Sequence, residues 1–183
     1  MRWQALFDDL EGQYAAARSA ELAAEVAERT RREVGALRLV DRLRPAVGTT
    51  VQVHLPGAGL VRGRLEDCGT DWLLLREDGE REVLVALASV LGVLGLGARA
   101  AHPDDGPVAK RLDLRWALRG LARSRAAVAL VVAGGEVVTG TLDRVGADHL
   151  DLAEHGLAEP RRAGAVRQVR LVPLSAVVLV RSG

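Results

Sequence analysis

The sequence predicts a mainly β protein with N-terminal helices, in which two five-stranded units follow one another, each preceded by a helix. Three observations carry this reading. The stretch VVTGTLDRVGADHLDL (137–152) repeats LVRGRLEDCGTDWLLL (60–75) without a gap: Val138, Gly140, Leu142, Gly146, Asp148, Leu150 and Leu152 match Val61, Gly63, Leu65, Gly69, Asp71, Leu73 and Leu75. The hydrophobic period changes from helical to alternating at Thr50, and the same change recurs after Ser124. Each copy of the repeat also sits inside a series of five short apolar runs bounded by turn-forming residues.

Residues 2–45 read as helix. Trp3, Leu6, Phe7, Leu10 and Tyr14 form one apolar face of a short amphipathic helix that Gly12 weakens, and Ser19 is placed to cap a second helix carrying Leu22, Val26, Leu37 and Val40. Glu25/Arg29 and Glu28/Arg32 supply i,i+4 pairs, and Pro45 and Gly48 end the helical segment. The strands of the first unit are expected in TVQVHL, LVRGRLEDC, DWLLLRED, EREVLVAL and SVLGVLGL, and those of the second in AVALVV, EVVTGTLDRV, DHLDLAE, QVRLVPL and SAVVLVRS. Between them, GARAAHPDDGP reads as a boundary, and VAKRLDLRWALRGLARS as a helix with Leu114, Leu118 and Leu121 on one face. The expected organisation is therefore a helical arm (1–48), a first β unit (49–97), a linker (98–107), and a helix plus second β unit (108–183).

Composition narrows the function classes. Of 183 residues, 49% are hydrophobic and 27% charged, which is globular composition. Lys+Arg 25 against Asp+Glu 24 gives a net charge of +1. That balance excludes a surface that coats a polyanion throughout, so any nucleic-acid contact must be local. The basic residues are almost all arginine, Lys110 being the only lysine, and Asn and Ile do not occur. This bias fits a GC-rich genome, so arginine content alone is no functional signal. Cys68 is the only cysteine, which excludes an internal disulfide framework and a cysteine-cluster metal site. The start MRWQALFDDLEGQ lacks the order of a signal peptide, and the longest apolar run (83–98) is glycine-interrupted and shorter than the roughly 20 residues of a membrane span. A cytoplasmic location is expected, with no cofactor.

The repeated unit resembles the Sm-like fold, a small SH3-like barrel of five strongly bent antiparallel strands. The residues that carry the resemblance are VRGRLEDC and VTGTLDRV, with a glycine inside the second strand, and the tight corners of VLVALASVLGV and VRLVPLSAVVLV. It covers about 38–96 and 112–182. The resemblance implies two tandem barrels, RNA binding, and assembly in which strand 4 of one barrel pairs with strand 5 of the next. Two departures stand against the usual base pocket: the positions that carry an Asp and an Asn in RNA-binding Sm proteins are Gly69 and Leu73 here, and Gly146 and Leu150 in the second copy. The Arg-Gly corner is replaced by Leu87–Ala88 and Leu174–Ser175. The whole chain, with its MRW…LFDDLE opening, also resembles actinobacterial proteins labelled Fis-like transcriptional regulators. That label implies a C-terminal helix-turn-helix, whereas residues 165–181 are patterned as strands.

No catalytic or metal-binding constellation is read from the sequence, and the chain is expected to be non-enzymatic. His149 and Asp151 share a strand face with His155 just beyond, and these read as a solvated polar face. Gly134–Gly135 reads as a hairpin turn, and Cys68 as buried. A local basic track is the leading candidate for nucleic-acid binding: Arg111, Arg115, Arg119 and Arg123 recur along one helix, and Arg161, Arg162, Arg167 and Arg170 follow in the same unit. The alternative is a protein-interaction module using Trp3, Phe7, Leu22, Val26, Trp72 and Leu74. Trp72 and Leu74 stand where the second copy has His149 and Asp151, so this outer face of the first unit is expected to be covered by the helices, the other unit or another subunit. Arginines gathered on an open face favour nucleic acid; arginines paired with carboxylates favour a structural role. A homo-oligomer is expected, a dimer in preference to a ring.

Overall fold

The computed structural model describes residues 2–79, 81–101, 112–159, 161–162 and 164–182. The linker residues 102–107 and the expected helix start at 108–111, Arg111 included, lie outside them. The chain forms two compact units, residues 1–38 and residues 39–183.

The first unit is one helix, α1 (Arg2–Gly35). The expected break near Gly12 does not occur, and Ser19 lies inside the helix rather than capping a second one. The alanine-rich run on both sides of Ser19 is strong helix former, and a single glycine costs only about 1 kcal/mol against it. Glu28 and Glu33 bridge to Arg32 and Arg29 along its surface.

The second unit begins with a short helix, α2 (Leu39–Leu43), within the segment expected as the helical arm. Val40, Leu43 and Ala46 are buried, which ties this segment to the sheet. Strands β1 (Thr50–Leu55), β2 (Gly59–Cys68), β3 (Trp72–Arg76), β4 (Glu82–Ala86) and β5 (Gly92–Leu94) follow. After α3 (Leu114–Ser124) come β6 (Ala127–Val132), β7 (Val137–Val145), β8 (His149–Glu154), β9 (Gln168–Pro173) and β10 (Val177–Ser182). The last two occupy the region where a helix-turn-helix would fall.

The ten strands form a single antiparallel sheet in the order β5-β1-β2-β3-β4-β10-β6-β7-β8-β9. Each half thus places its fifth strand beside its first, and the halves join where β4 meets β10. Residue equivalence extends to irregularities. The β2–β3 ladder slips between Leu65 and Asp67, and the β7–β8 ladder between the matching Leu142 and Arg144. Gly63 and Gly140 sit where a neighbouring strand presses in. A Cβ on Gly63 would lie 2.8 Å from the Arg76 carbonyl oxygen, and one on Gly140 closer still to that of Ala153. Glycine is required here by close backbone approach.

Two buried clusters fill the unit, and they interlock. One holds Leu43, Val53, Leu65, Leu73, Leu75, Val83 and Val85 from the first half, and also Val178 and Leu179 from β10. The other holds Leu114, Leu118, Leu130, Leu142 and Leu152 with Trp72, Leu84 and Ala86 from the first half. Alternate residues of β4 therefore point into different cores, and β10 divides its residues between the same two, Val178 and Leu179 into one, Val177 and Val180 into the other. This explains why VLVA (83–86) and VVLV (177–180) are continuous apolar runs: both faces of these strands are buried, which removes the polar alternation of a half-exposed strand.

Candidate assembly edges and surface arginines

The β4·β10 junction defines the geometry of one candidate site. Leu179, Val180 and Arg181 pair with Val85, Leu84 and Val83. Arg181 bridges to Glu77 at 3.2 Å, and the Ser89 hydroxyl donates to the Val177 carbonyl at 3.1 Å. Each half has a 3-10 turn between its fourth and fifth strands, Leu87–Ser89 and Leu174–Ala176. Aligning these turns makes Leu84 equivalent to Leu171, Val85 to Val172, and Val93 to Val180. The same correspondence follows from the ladders, since Val93 pairs with Val53 and Val180 with the matching Leu130. What β4 and β10 do for each other is left undone at the two ends of the sheet, where β9 and β5 are the edge strands. Leu84 is 6% exposed beneath its junction, whereas Leu171 on β9 is 61% exposed, with Val169 exposed beside it. On β5 and just before it, Leu94 and Leu91 are exposed.

Trp72 is covered from within the chain. It is 4% exposed, packs in the cluster with Leu114 and Leu118 of α3, and its indole N–H donates to the Leu112 carbonyl at 2.8 Å. Leu74 is half-buried against the same cluster. α3 is positioned over them by two carboxylates. Asp113 caps it, accepting from the Trp116 N–H at 2.8 Å and from both Arg115 Nε and Nη2. Asp71, on the turn before Trp72, accepts from the Leu114 N–H at 2.7 Å. Desolvation pushes the Asp113 carboxyl upward, but the Arg115 and Trp116 hydrogen bonds outweigh it and hold its pKa below the ordinary value. Sequence reading passed over both aspartates as functional residues, although an Asp directly before the Leu114 helix is a capping signal. The other apolar candidates, Trp3, Phe7, Leu22 and Val26, are exposed on α1.

The arginines divide. Arg115 is held by Asp113, Arg161 binds both oxygens of Asp143, and Arg170 bridges Glu154 and Glu136. Arg119, Arg123, Arg162 and Arg167 are exposed and form no ion pair among the described residues. The first three named are thus structural, and the second four are open to solvent.

His149 and His155 do not come together with Asp151 as a metal site. His155 is 1% exposed, contrary to the expected solvated face: Thr139 and Thr141 of β7 fold over it, Thr141 Oγ1 lying 2.8 Å from Nε2, while Nδ1 lies 2.8 Å from the Gly156 carbonyl. His149 instead faces Asp148 at 2.8 Å. Among the described residues no cluster of His, Cys, Asp and Glu is arranged to hold a metal. Burial, with the nearby Asp67 charge, pushes the half-buried Cys68 thiol up to about 11, which keeps it protonated at neutral pH. No described helix is long and apolar enough to cross a membrane.

Set against models of protein families and against curated proteins, the sequence matches none.

Proposed function

We propose that this chain is a non-enzymatic assembly unit, two Sm-like barrels in tandem, that joins further copies of itself by pairing β9 of one chain with β5 of the next. The barrel reading is supported by the identical strand order of the two halves, the matching bulges, and the close approaches at Gly63 and Gly140. One observation carries the assembly reading: the chain already makes this type of junction once, at β4·β10, and its two sheet edges are the complementary halves of a second one. The register follows by equivalence, Gly92 opposite Val172, Val93 opposite Leu171 and Leu94 opposite Arg170. An interface between unlike edges is heterologous, so it closes into a ring or runs on as a filament. A trimer would imitate a six-barrel ring. A dimer built on the Trp72–Leu74 face is less favoured, because α3 covers Trp72 within the chain. Light scattering on the full chain tests the proposal. The expected mass is three chains or more, reduced by Leu171→Arg with no loss of melting temperature. A monomer, or a dimer that Leu171→Arg leaves intact, contradicts it.

The nucleic-acid reading keeps one specific support, the four open arginines Arg119, Arg123, Arg162 and Arg167. Phosphate contacts of this kind weaken uniformly across sequences and with salt. Arg119→Glu with Arg123→Glu is expected to weaken binding of single-stranded RNA at low salt and to flatten its salt dependence. Absence of binding by the unaltered chain retires this reading and leaves the assembly one standing.

A further inference from the structure

Between α3 and the outer face of β3, β4 and β10 runs an open groove of about 360 Å³, a volume in the range of small-ligand sites. Its walls are apolar, with Trp72, Leu74, Leu84, Trp116 and Leu121 among them. Trp72 is fixed by its bond to the Leu112 carbonyl, and Trp116, 48% exposed, stands at the mouth. Two further features give the groove a direction. Among the described residues its charged lining is acidic, Asp67 and Glu82, although Arg76 reaches Glu82 from outside the lining at 3.5 Å. And Gly120 lies in the interior of α3, where glycine costs about 1 kcal/mol relative to alanine. Nothing in the fold asks for it: a Cβ at this position meets no atom within 4 Å, and the residue lines the groove. The absent side chain keeps the groove open.

We infer that this groove binds a small organic cation, an alkyl- or arylammonium with an apolar body. Two indoles and an apolar lining suit the body; the indoles and the two carboxylates attract the cationic head, and no basic group among the described lining residues repels it. The volume holds one such molecule and is too small for a docked helix.

The test is an NMR titration of the full chain with three probes that share a phenylethyl-type body: phenethylammonium, 2-phenylethanol and phenylacetate. The ammonium is expected to shift the indole N–H signals of Trp72 and Trp116 and to leave that of Trp3 unmoved. It is expected to bind about fivefold more tightly than the alcohol, as cation–π attraction at a partly exposed site implies, with the carboxylate weakest. Gly120→Leu fills the groove and is expected to abolish the shifts. Asp67→Asn with Glu82→Gln is expected to bring the ammonium down to the affinity of the alcohol, which decides the matter even if Gly120→Leu does not fold. Equal binding of ammonium and carboxylate, equal binding of ammonium and alcohol by the unaltered chain, or shifts that survive Gly120→Leu in a folded protein each overturn the inference. So do Trp72 and Trp116 signals that change with protein concentration alone, because a second copy of the chain then fills the groove.

Discussion

Leu84 and Leu171 hold the same place in the two halves of the chain, yet one is buried under a partner strand and the other lies open on an edge. Leu84 faces Val180 across the β4·β10 ladder. Among the described residues Leu171 has no such neighbour, although Val93, the equivalent of Val180, lies on the strand at the opposite end of the same sheet.

This relationship predicts a specific cross-link. In a Cys68→Ser background, Val93→Cys combined with Leu171→Cys is expected to form disulfides between chains on mild oxidation, seen as a ladder on a non-reducing gel. Directly opposed residues of antiparallel strands have the Cα separation that a disulfide needs. Either cysteine alone should leave the chain single. Free thiols in the double variant at assembly concentrations would show that these edges do not meet.

The glycines of the repeat should separate by their surroundings. Gly63→Ala and Gly140→Ala push a methyl against the Arg76 and Ala153 carbonyls, and each is expected to cost about 1–3 kcal/mol in denaturant unfolding. Gly140 should be the worse of the two, its neighbour being nearer. Gly120→Ala, with open space around the new methyl, should stabilise by about 0.5–1 kcal/mol. A reversal of this order would contradict the close approaches.

Asp113→Ala removes the cap of α3 and is expected to lower stability by about 1 kcal/mol near neutral pH. The folded Asp113 carboxyl has a lowered pKa, so it binds its proton less readily than in the unfolded chain. Its contribution is present above the ordinary carboxylate pKa of 3.8 and disappears as pH falls through the lowered folded value. Acid unfolding of Asp113→Ala should therefore be less steep than that of the unaltered protein.

Cys68 acts at the opposite end of the pH scale. Its thiol is raised by burial from 9.0 to about 11, so the folded chain holds this proton where the unfolded chain has released it. Stability attributable to the protonated thiol is complete below pH 9 and is lost as pH rises towards 11. Cys68→Ser should remove that part of the alkaline slope. Alkylation of the native protein at pH 8 should run far slower than after denaturation; equal rates would mean that the thiol is not buried.

Much of the local architecture was legible in the residues. Short apolar runs between turn residues located all ten strands, a strand with one buried face writing its period of two into most of them, and the duplicated stretch announced that both halves follow one plan. Trp72, which stands where the second copy has His149, lies buried against α3. Other expectations failed where local signals compete: Gly12 and Ser19 did not interrupt a helix whose other residues favour it, and His155 became buried because two threonines opposite could satisfy it.

What the sequence by itself determined is the set of strands, their equivalence, and the glycines that let neighbouring strands approach. Tertiary structure decided how the halves meet. Whether β4 pairs with β10 or with another chain depends on contacts between residues about a hundred positions apart, and no local period encodes such a partner. The continuous apolar runs VLVA and VVLV did carry a trace of it, since a strand buried on both faces has no polar side to show. The groove beneath α3 depends on that junction, because β4 and β10 both line it; the covering of Trp72 by α3 and the pairing of Arg161 and Arg170 depend on other tertiary contacts that no local period encodes.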